Sequence, residues 1–186
     1  MTADPTLTQR EHDDAPPTSS KTASADRALL AESVTINRPA RELYDFWRQP
    51  ANLVGVLENI RSIDIIDDTR SRWTVEAPAG REASWESVIS EDVPGVSITW
   101  QSAPGADVAN SGRIEFTEVG DRGTVVRAVI AYDPPGGTIG QFIAKLFQRE
   151  PRIQTRRDLR RFKQLMETGE VATSSRTRKQ LEEEQA

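Results

Sequence analysis

Six short strand-like runs follow one another between Ile60 and Tyr132 with only turn residues between them, and no other feature of the chain constrains its fold as strongly. The runs are Ile60–Asp67, Ser71–Ala77, Glu82–Glu91, Val96–Ser102, Ala109–Glu118 and Thr124–Tyr132. Between them stand Asp67-Asp68, Pro78-Ala79-Gly80, Val93-Pro94-Gly95, Pro104-Gly105 and Gly120-Asp121-Arg122-Gly123. Such residues supply a positive φ, a fixed φ or a local side-chain hydrogen bond, which is what a reversal of the chain needs. No crossover helix fits in links this short, so successive strands pair antiparallel as a meander.

Alternation then assigns the faces of that sheet. Trp73 and Val75, Ala83 and Trp85, and Val96, Ile98 and Trp100 fall on single apolar faces, with Arg72, Glu76, Glu82, Ser84, Thr99 and Gln101 opposite. Ile114 and Phe116 oppose Arg113 and Glu115, and Val126, Ala128, Ile130 and Tyr132 continue the apolar side in the last run. One face must be covered by something else in the chain.

The segments flanking the meander supply the cover. Leu30 to Asn37 reads as a first strand, Pro39 opens a helix crowded with Leu43, Tyr44, Phe46 and Trp47, and Gln49-Pro50 breaks it before a second short helix over Ala51 to Leu57. Beyond the last strand, Tyr132-Asp133-Pro134-Pro135-Gly136-Gly137 leads into a long amphipathic segment with two apolar stripes. Ile139, Phe142, Ile143, Leu146 and Phe147 make one, and Leu159, Phe162 and Met166 the other. At about 100° per residue an unbroken helix would set them on nearly opposite sides. A break is therefore expected near Arg149 to Pro151, with the first piece a separate lid. The order is β-α-α-β-β-β-β-β-β-α, an α+β architecture.

Composition narrows the chemistry. The 186 residues suit one domain, placed at 28–170, between a polar N-terminal arm (1–27) and a polar C-terminal tail (171–186) that both read as disordered. A net charge of −5 argues against nucleic acid as a partner. No apolar run approaches the roughly 18 to 20 residues that span a bilayer, and no secretory signal opens the chain, so a soluble, cytoplasmic protein is expected. The absence of cysteine excludes disulfides, thiolate nucleophiles and Cys-bound zinc. His12, the sole histidine, lies in the arm, so no Ser-His-Asp triad, Cys-His pair or histidine metal site can form inside the domain. Asp64, Asp67 and Asp68 are explained by strand edges and a turn, and no EF-hand loop occurs; no metal and no cofactor is expected.

With these elements in place, the chain resembles the polyketide cyclase/dehydrase and lipid-transport family, within the START-related SRPBCC superfamily. The resemblance runs from about Ser33 to Glu170. It is carried by Ser33-Val34-Thr35-Ile36-Asn37-Arg38-Pro39, Leu43-Tyr44-Asp45-Phe46-Trp47-Arg48, Trp73, Trp85, Trp100, Tyr132-Asp133-Pro134-Pro135-Gly136 and the Asp158 to Glu170 ending. It implies the helix-grip fold: an antiparallel seven-stranded sheet curved around a long C-terminal helix, with two short helices after the first strand. It also implies a central cavity for lipids, quinones, polyketides or hormones, with catalysis in some members only.

The candidate ligand-binding residues are Trp73, Trp85, Trp100, Phe116, Ala128, Ile130, Tyr132, Phe142, Leu146, Arg152 and Arg156. The tryptophans either line a pocket able to stack an aromatic or isoprenoid ligand or fill the core themselves. Ala77, Ala83 and Ala128 at inward positions leave room. Arg152 and Arg156 belong to a basic segment, Lys145 to Lys163, with eight basic residues against two acidic ones. That segment is either the solvated face of a helix or a contact for anionic headgroups. For catalysis the available groups are Tyr44, Tyr132, Asp133, Glu86 and arginines near the cavity mouth, and Tyr132-Asp133 is more simply a strand end entering a turn.

The expected function is binding or transport of a hydrophobic small molecule, lipid-, quinone- or polyketide-like, without catalysis. Its alternatives are a polyketide-type aromatase/cyclase or dehydratase, and an interaction module recruited to an anionic membrane or a partner.

Overall fold

The computed structural model describes residues 28–58, 60–77, 81–106, 108–133 and 151–171. Short links dictate its topology. Strands β1 (Ala28–Ile36), β2 (Ile60–Ile65), β3 (Arg70–Ala77), β4 (Arg81–Val93), β5 (Ser97–Ser102), β6 (Ala109–Glu118) and β7 (Thr124–Asp133) form one antiparallel sheet. The order across it is β1-β7-β6-β5-β4-β3-β2, a meander from β2 to β7 with β1 laid beside the last strand. The sheet does not close, and β1 and β2 are its edges. Helix α1 (Ala40–Trp47) and a 3₁₀ turn (Pro50–Gly55) link those edges, and helix α2 (Pro151–Thr168) covers the inner face. This is the α+β helix-grip arrangement expected from the sequence.

Helix α2 begins at Pro151, where the two apolar stripes require a change of direction and where a residue without an N–H is tolerated. The preceding stripe, Ile139 to Phe147, lies outside the described residues, as do the expected arm and residues 172–186 of the tail. At its far end α2 stops at Gly169, whose φ of 79° suits glycine and whose amide donates to the Leu165 carbonyl at 2.8 Å. The Arg38 guanidinium donates to the carbonyls of Met166 (2.8 Å) and Glu167 (3.3 Å), satisfying acceptors the helix leaves open. The end of β1 is thereby fastened to the end of α2.

The core divides in two. The larger part packs Leu43 and Tyr44 of α1 and Leu159 and Phe162 of α2 against Ile98, Ile114, Phe116 and Val126 of the sheet. Phe46 and Trp47 flank Phe162 at ring-centroid distances of 5.4 and 5.2 Å. A smaller part joins Val75, Ala83, Trp85 and Val108, with Ile60 and Trp73 beside them. On the outer face Arg113 meets Glu91 at 2.6 Å and Glu115 at 3.0 Å, and Arg127 meets Glu115 at 3.1 Å, a polar row across β4, β5, β6 and β7.

Two departures from simple alternation have local causes. Val96, expected on the inner face, belongs to the turn before β5. Its amide donates to the Val93 carbonyl at 2.9 Å and its side chain is 52% exposed. In β4 the register steps from Ile89↔Trp100 to Glu91↔Thr99, so Ser90 is an extra residue and the strand bulges. Beyond the bulge the phase of β4 inverts, and Asp92, paired with buried Ile98, faces α1 instead of Glu91. There Tyr44 Oη donates to Asp92 Oδ1 at 2.5 Å and Arg48 Nε to Asp92 Oδ2 at 2.6 Å. Burial, then the bond to Asp92, pushes the Tyr44 hydroxyl up to about 12. Among the described residues no helix is long and apolar enough to cross a membrane.

Candidate ligand cavity

The inner face of the sheet is too broad for α2 to fill with its own side chains. A cavity of about 190 Å³ remains between β3, β4, β5 and β7, helix α2 and the 3₁₀ turn. An apolar cavity on the order of 150 Å³ already holds a benzene-sized molecule. The sheet contributes Trp73, Trp85, Trp100, Ile98, Ala128 and Ile130, the turn region Leu53 and Leu57, and α2 Thr155, Asp158 and Leu159.

The three indoles are held in different ways. Trp73 and Trp85 face each other across β3 and β4 as registered partners, their rings nearly parallel (18°) with centroids 6.3 Å apart. Trp73 Nε1 donates to Ser71 Oγ at 2.9 Å, so its one polar atom is satisfied within the wall. Trp100 stands opposite Gly112 in the β5–β6 register, where a Cβ would come within 2.7 Å of the indole Cε2. The glycine lets the ring lie flat against β6. All three tryptophans border the cavity, and Trp85, with Trp73 packed beside it, is at the same time part of the smaller core.

Trp73, Trp85, Trp100, Ala128 and Ile130 thus meet around one cavity. Two other candidates stand apart from it. Phe116 is buried edge-on against Tyr44, with centroids 6.1 Å apart and planes at 83°, because its end of β6 is covered by α1. Arg156 is exposed and pairs with Glu32 of β1 at 3.3 Å; Thr155 and Leu159 hold the inward face of α2, and position 156 turns about 100° away. The side chains of Tyr132 and Arg152, and residues Phe142 and Leu146, lie outside the described residues. Other members of the basic segment serve as fastenings. Lys163 Nζ donates to the Thr35 carbonyl at 2.6 Å and Arg161 to the Gly55 carbonyl at 3.3 Å. Of the groups considered for catalysis, Tyr44 is engaged by Asp92, and Glu86 lies 3.6 Å from Arg70.

Sequence reasoning missed the acid of the site. Asp158 borders the cavity from α2, and its Oδ1 accepts from the Glu58 amide at 3.2 Å and from Gln154 Nε2 at 3.0 Å. Burial pushes this carboxyl up to about 6, against the opposing pull of those two hydrogen bonds. In the sequence an aspartate among arginines looks like a surface ion-pair partner. Its position next to Leu159, within the inward stripe, was the available signal. Among the described residues no group of three His, Cys, Asp or Glu side chains is placed to hold a metal ion.

Comparison with known proteins agrees with this architecture. Residues 36–160 match the family model described as polyketide cyclase / dehydrase and lipid transport. A crystal structure of a Deinococcus radiodurans protein is 40% identical, covering 77% of this chain and all of that one, with a TM-score of 0.63. A Thermus thermophilus protein shares 21% identity over 73% of this chain and 94% of its own, with a TM-score of 0.60. The Zhui aromatase/cyclase from Streptomyces sp. R1128 shares 13% identity over 78% of this chain and 99% of its own, also at 0.60. The last two are likenesses of fold. None of the curated proteins matches.

Proposed function

Because this chain belongs to the polyketide cyclase/dehydrase and lipid transport family, we propose that it binds or carries a hydrophobic small molecule, lipid-, quinone- or polyketide-like, between its sheet and α2. The observation that carries this reading is the three-tryptophan wall around a space of about 190 Å³. Indole faces offer broad, weakly directional contact to planar or isoprenoid groups, and apolar burial supplies the driving force. Native mass spectrometry of the purified protein should recover a bound apolar molecule. Ala128→Trp, which puts an indole into the cavity, should abolish uptake of a hydrophobic fluorescent probe while the circular dichroism spectrum is kept. A wild-type protein that neither carries nor takes up any apolar molecule overturns the reading.

Asp158 favours a second reading, an aromatase/cyclase or dehydratase acting in the same cavity. A carboxyl that titrates near 6 beside an apolar space is suited to moving protons close to neutral pH. Turnover of a poly-β-ketone thioester should then be lost in Asp158→Asn although probe binding persists. Absence of turnover in the wild type removes this reading and leaves the first intact.

A further inference from the structure

We propose that Asp158 is a specificity-determining residue that selects, among planar apolar ligands, those bearing a hydroxyl group, which it receives on Oδ2 at the seam between α2 and the Leu57–Glu58 segment. The inference rests on the cavity being a ligand site and adds the chemical class of the ligand: a hydroxylated polycyclic aromatic of the naphthol type.

The geometry points there for three reasons. Asp158 borders the same cavity as the three tryptophans, so one molecule can touch both. Among the described residues, the hydrogen bonds to its carboxylate come from the Glu58 amide and Gln154 Nε2, and both end on Oδ1. These orient the carboxylate and leave Oδ2 as the acceptor for a ligand. Among the described lining residues Ser71, Ser87, Asn110, Gln154 and Thr155 offer neutral partners, and Asp158 alone offers a charged acceptor, which bonds a hydroxyl more strongly. A ring system against Trp73, Trp85 and Trp100 with its hydroxyl directed to Asp158 satisfies both demands.

The state of the carboxyl fixes the sign of the effect. Only the ionised form is an acceptor on both oxygens. Glu58 opposes ionisation, and Arg161 on the same helix favours it. The acceptor is therefore present above about pH 6 and withdrawn below it.

The test titrates 1-naphthol and naphthalene separately against the tryptophan fluorescence of wild-type and Asp158→Asn protein at pH 7.5. In the wild type naphthol should bind about tenfold more tightly relative to naphthalene than it does in the variant, the worth of a hydrogen bond to a charged group. Naphthalene affinity should be unchanged, which also reports that the variant is folded. In the wild type alone, naphthol affinity should fall between pH 7.5 and pH 5 while naphthalene affinity stays level; this arm needs no variant. Naphthalene bound with no preference for naphthol, or a preference indifferent to both Asp158 and pH, overturns the assignment to Asp158 but spares the cavity reading. Failure of both molecules to bind the wild type overturns the assignment to a naphthol-type ligand, and overturns the cavity reading as well when native mass spectrometry recovers no apolar molecule from the protein.

Discussion

Trp100 and Gly112 are cross-strand partners in which one residue's ring occupies the place of the other's side chain. The indole wall of the cavity depends on an atom that is missing from the neighbouring strand. Gly112→Ala should destabilise the fold by about 1–3 kcal/mol, the usual cost of forcing extra carbon into a packed site, read as a lower denaturation midpoint at unchanged m-value. Where the ring is displaced inward, hydrophobic probe binding should weaken as well. Combining it with Trp100→Ala should cost less than the two separate changes added, because the larger partner is then absent. Strict additivity would mean that the two residues do not interact.

Tyr44 and Asp92 form the second testable pair. Tyr44→Phe leaves the Asp92 carboxylate to Arg48 alone, and a loss of about 1–2 kcal/mol is expected. A double-mutant cycle with Asp92→Asn should return most of it as coupling energy. The folded-state value of about 12 lies above the unfolded value of about 10. Between those limits the folded state binds the Tyr44 proton more tightly, so stability from this residue is complete below pH 10 and lost as pH rises toward 12. A tyrosinate absorbance titration should therefore show one late-ionising tyrosine in the wild type that Tyr44→Phe removes.

Asp158 makes the opposite contribution at neutral pH. Its folded value of about 6 exceeds the unfolded value of about 3.9, so the folded state holds that proton more tightly from about pH 4 to 6. Stability from this group is present at acid pH and declines as pH rises through 6. Asp158→Asn keeps an acceptor for the Glu58 and Gln154 donors and should therefore stabilise the protein at pH 7.5 and have a smaller effect at pH 4.5. Thermal melts at the two pH values check this, and equal shifts at both would contradict the raised carboxyl value.

Deleting Ser90 should remove the bulge in β4 while leaving Glu91 opposite Thr99 and Asp92 opposite Ile98. Asp92 would then still face Tyr44, now in unbroken alternation with Ile89, and Glu91 would stay on the outer face. The late tyrosine titration should therefore persist in the deletion variant, and its loss would contradict this register. Ser90→Ala, which keeps both the bulge and the register, should leave that titration in place too.

The sheet was legible because its turns are written in residues with few other uses and its links are too short for a helix. The C-terminal cover was legible from the apolar stripe of Leu159, Phe162 and Met166, which α2 turns toward the core. What escaped notice depends on neighbours in space. Nothing in the alternation around Ile89 announces that Ser90 is an extra residue, since a bulge is defined by the strand opposite. Gly112 looks like an ordinary weak point of a strand until Trp100 is known to lie on it. Phe116 and Ile130 share one apolar face, but only the covering of β6 by α1 separates core from cavity. Asp158 is hidden by its arginine neighbours, although helix geometry sets it beside the inward stripe.

The Ser90 bulge also has a bearing on how this molecule can change. It separates a stretch of β4 that borders the cavity from one that grips α1, with Trp85 and Ala83 of the smaller core on the cavity side and Asp92 on the other. Substitutions around Trp73, Val75, Ala83 and Trp85 can reshape what the protein holds with little effect on Leu43, Phe116 and Phe162. A lineage, or an engineer, can therefore exchange one cargo for another by rewriting one half of a strand while leaving the grip of the other half intact.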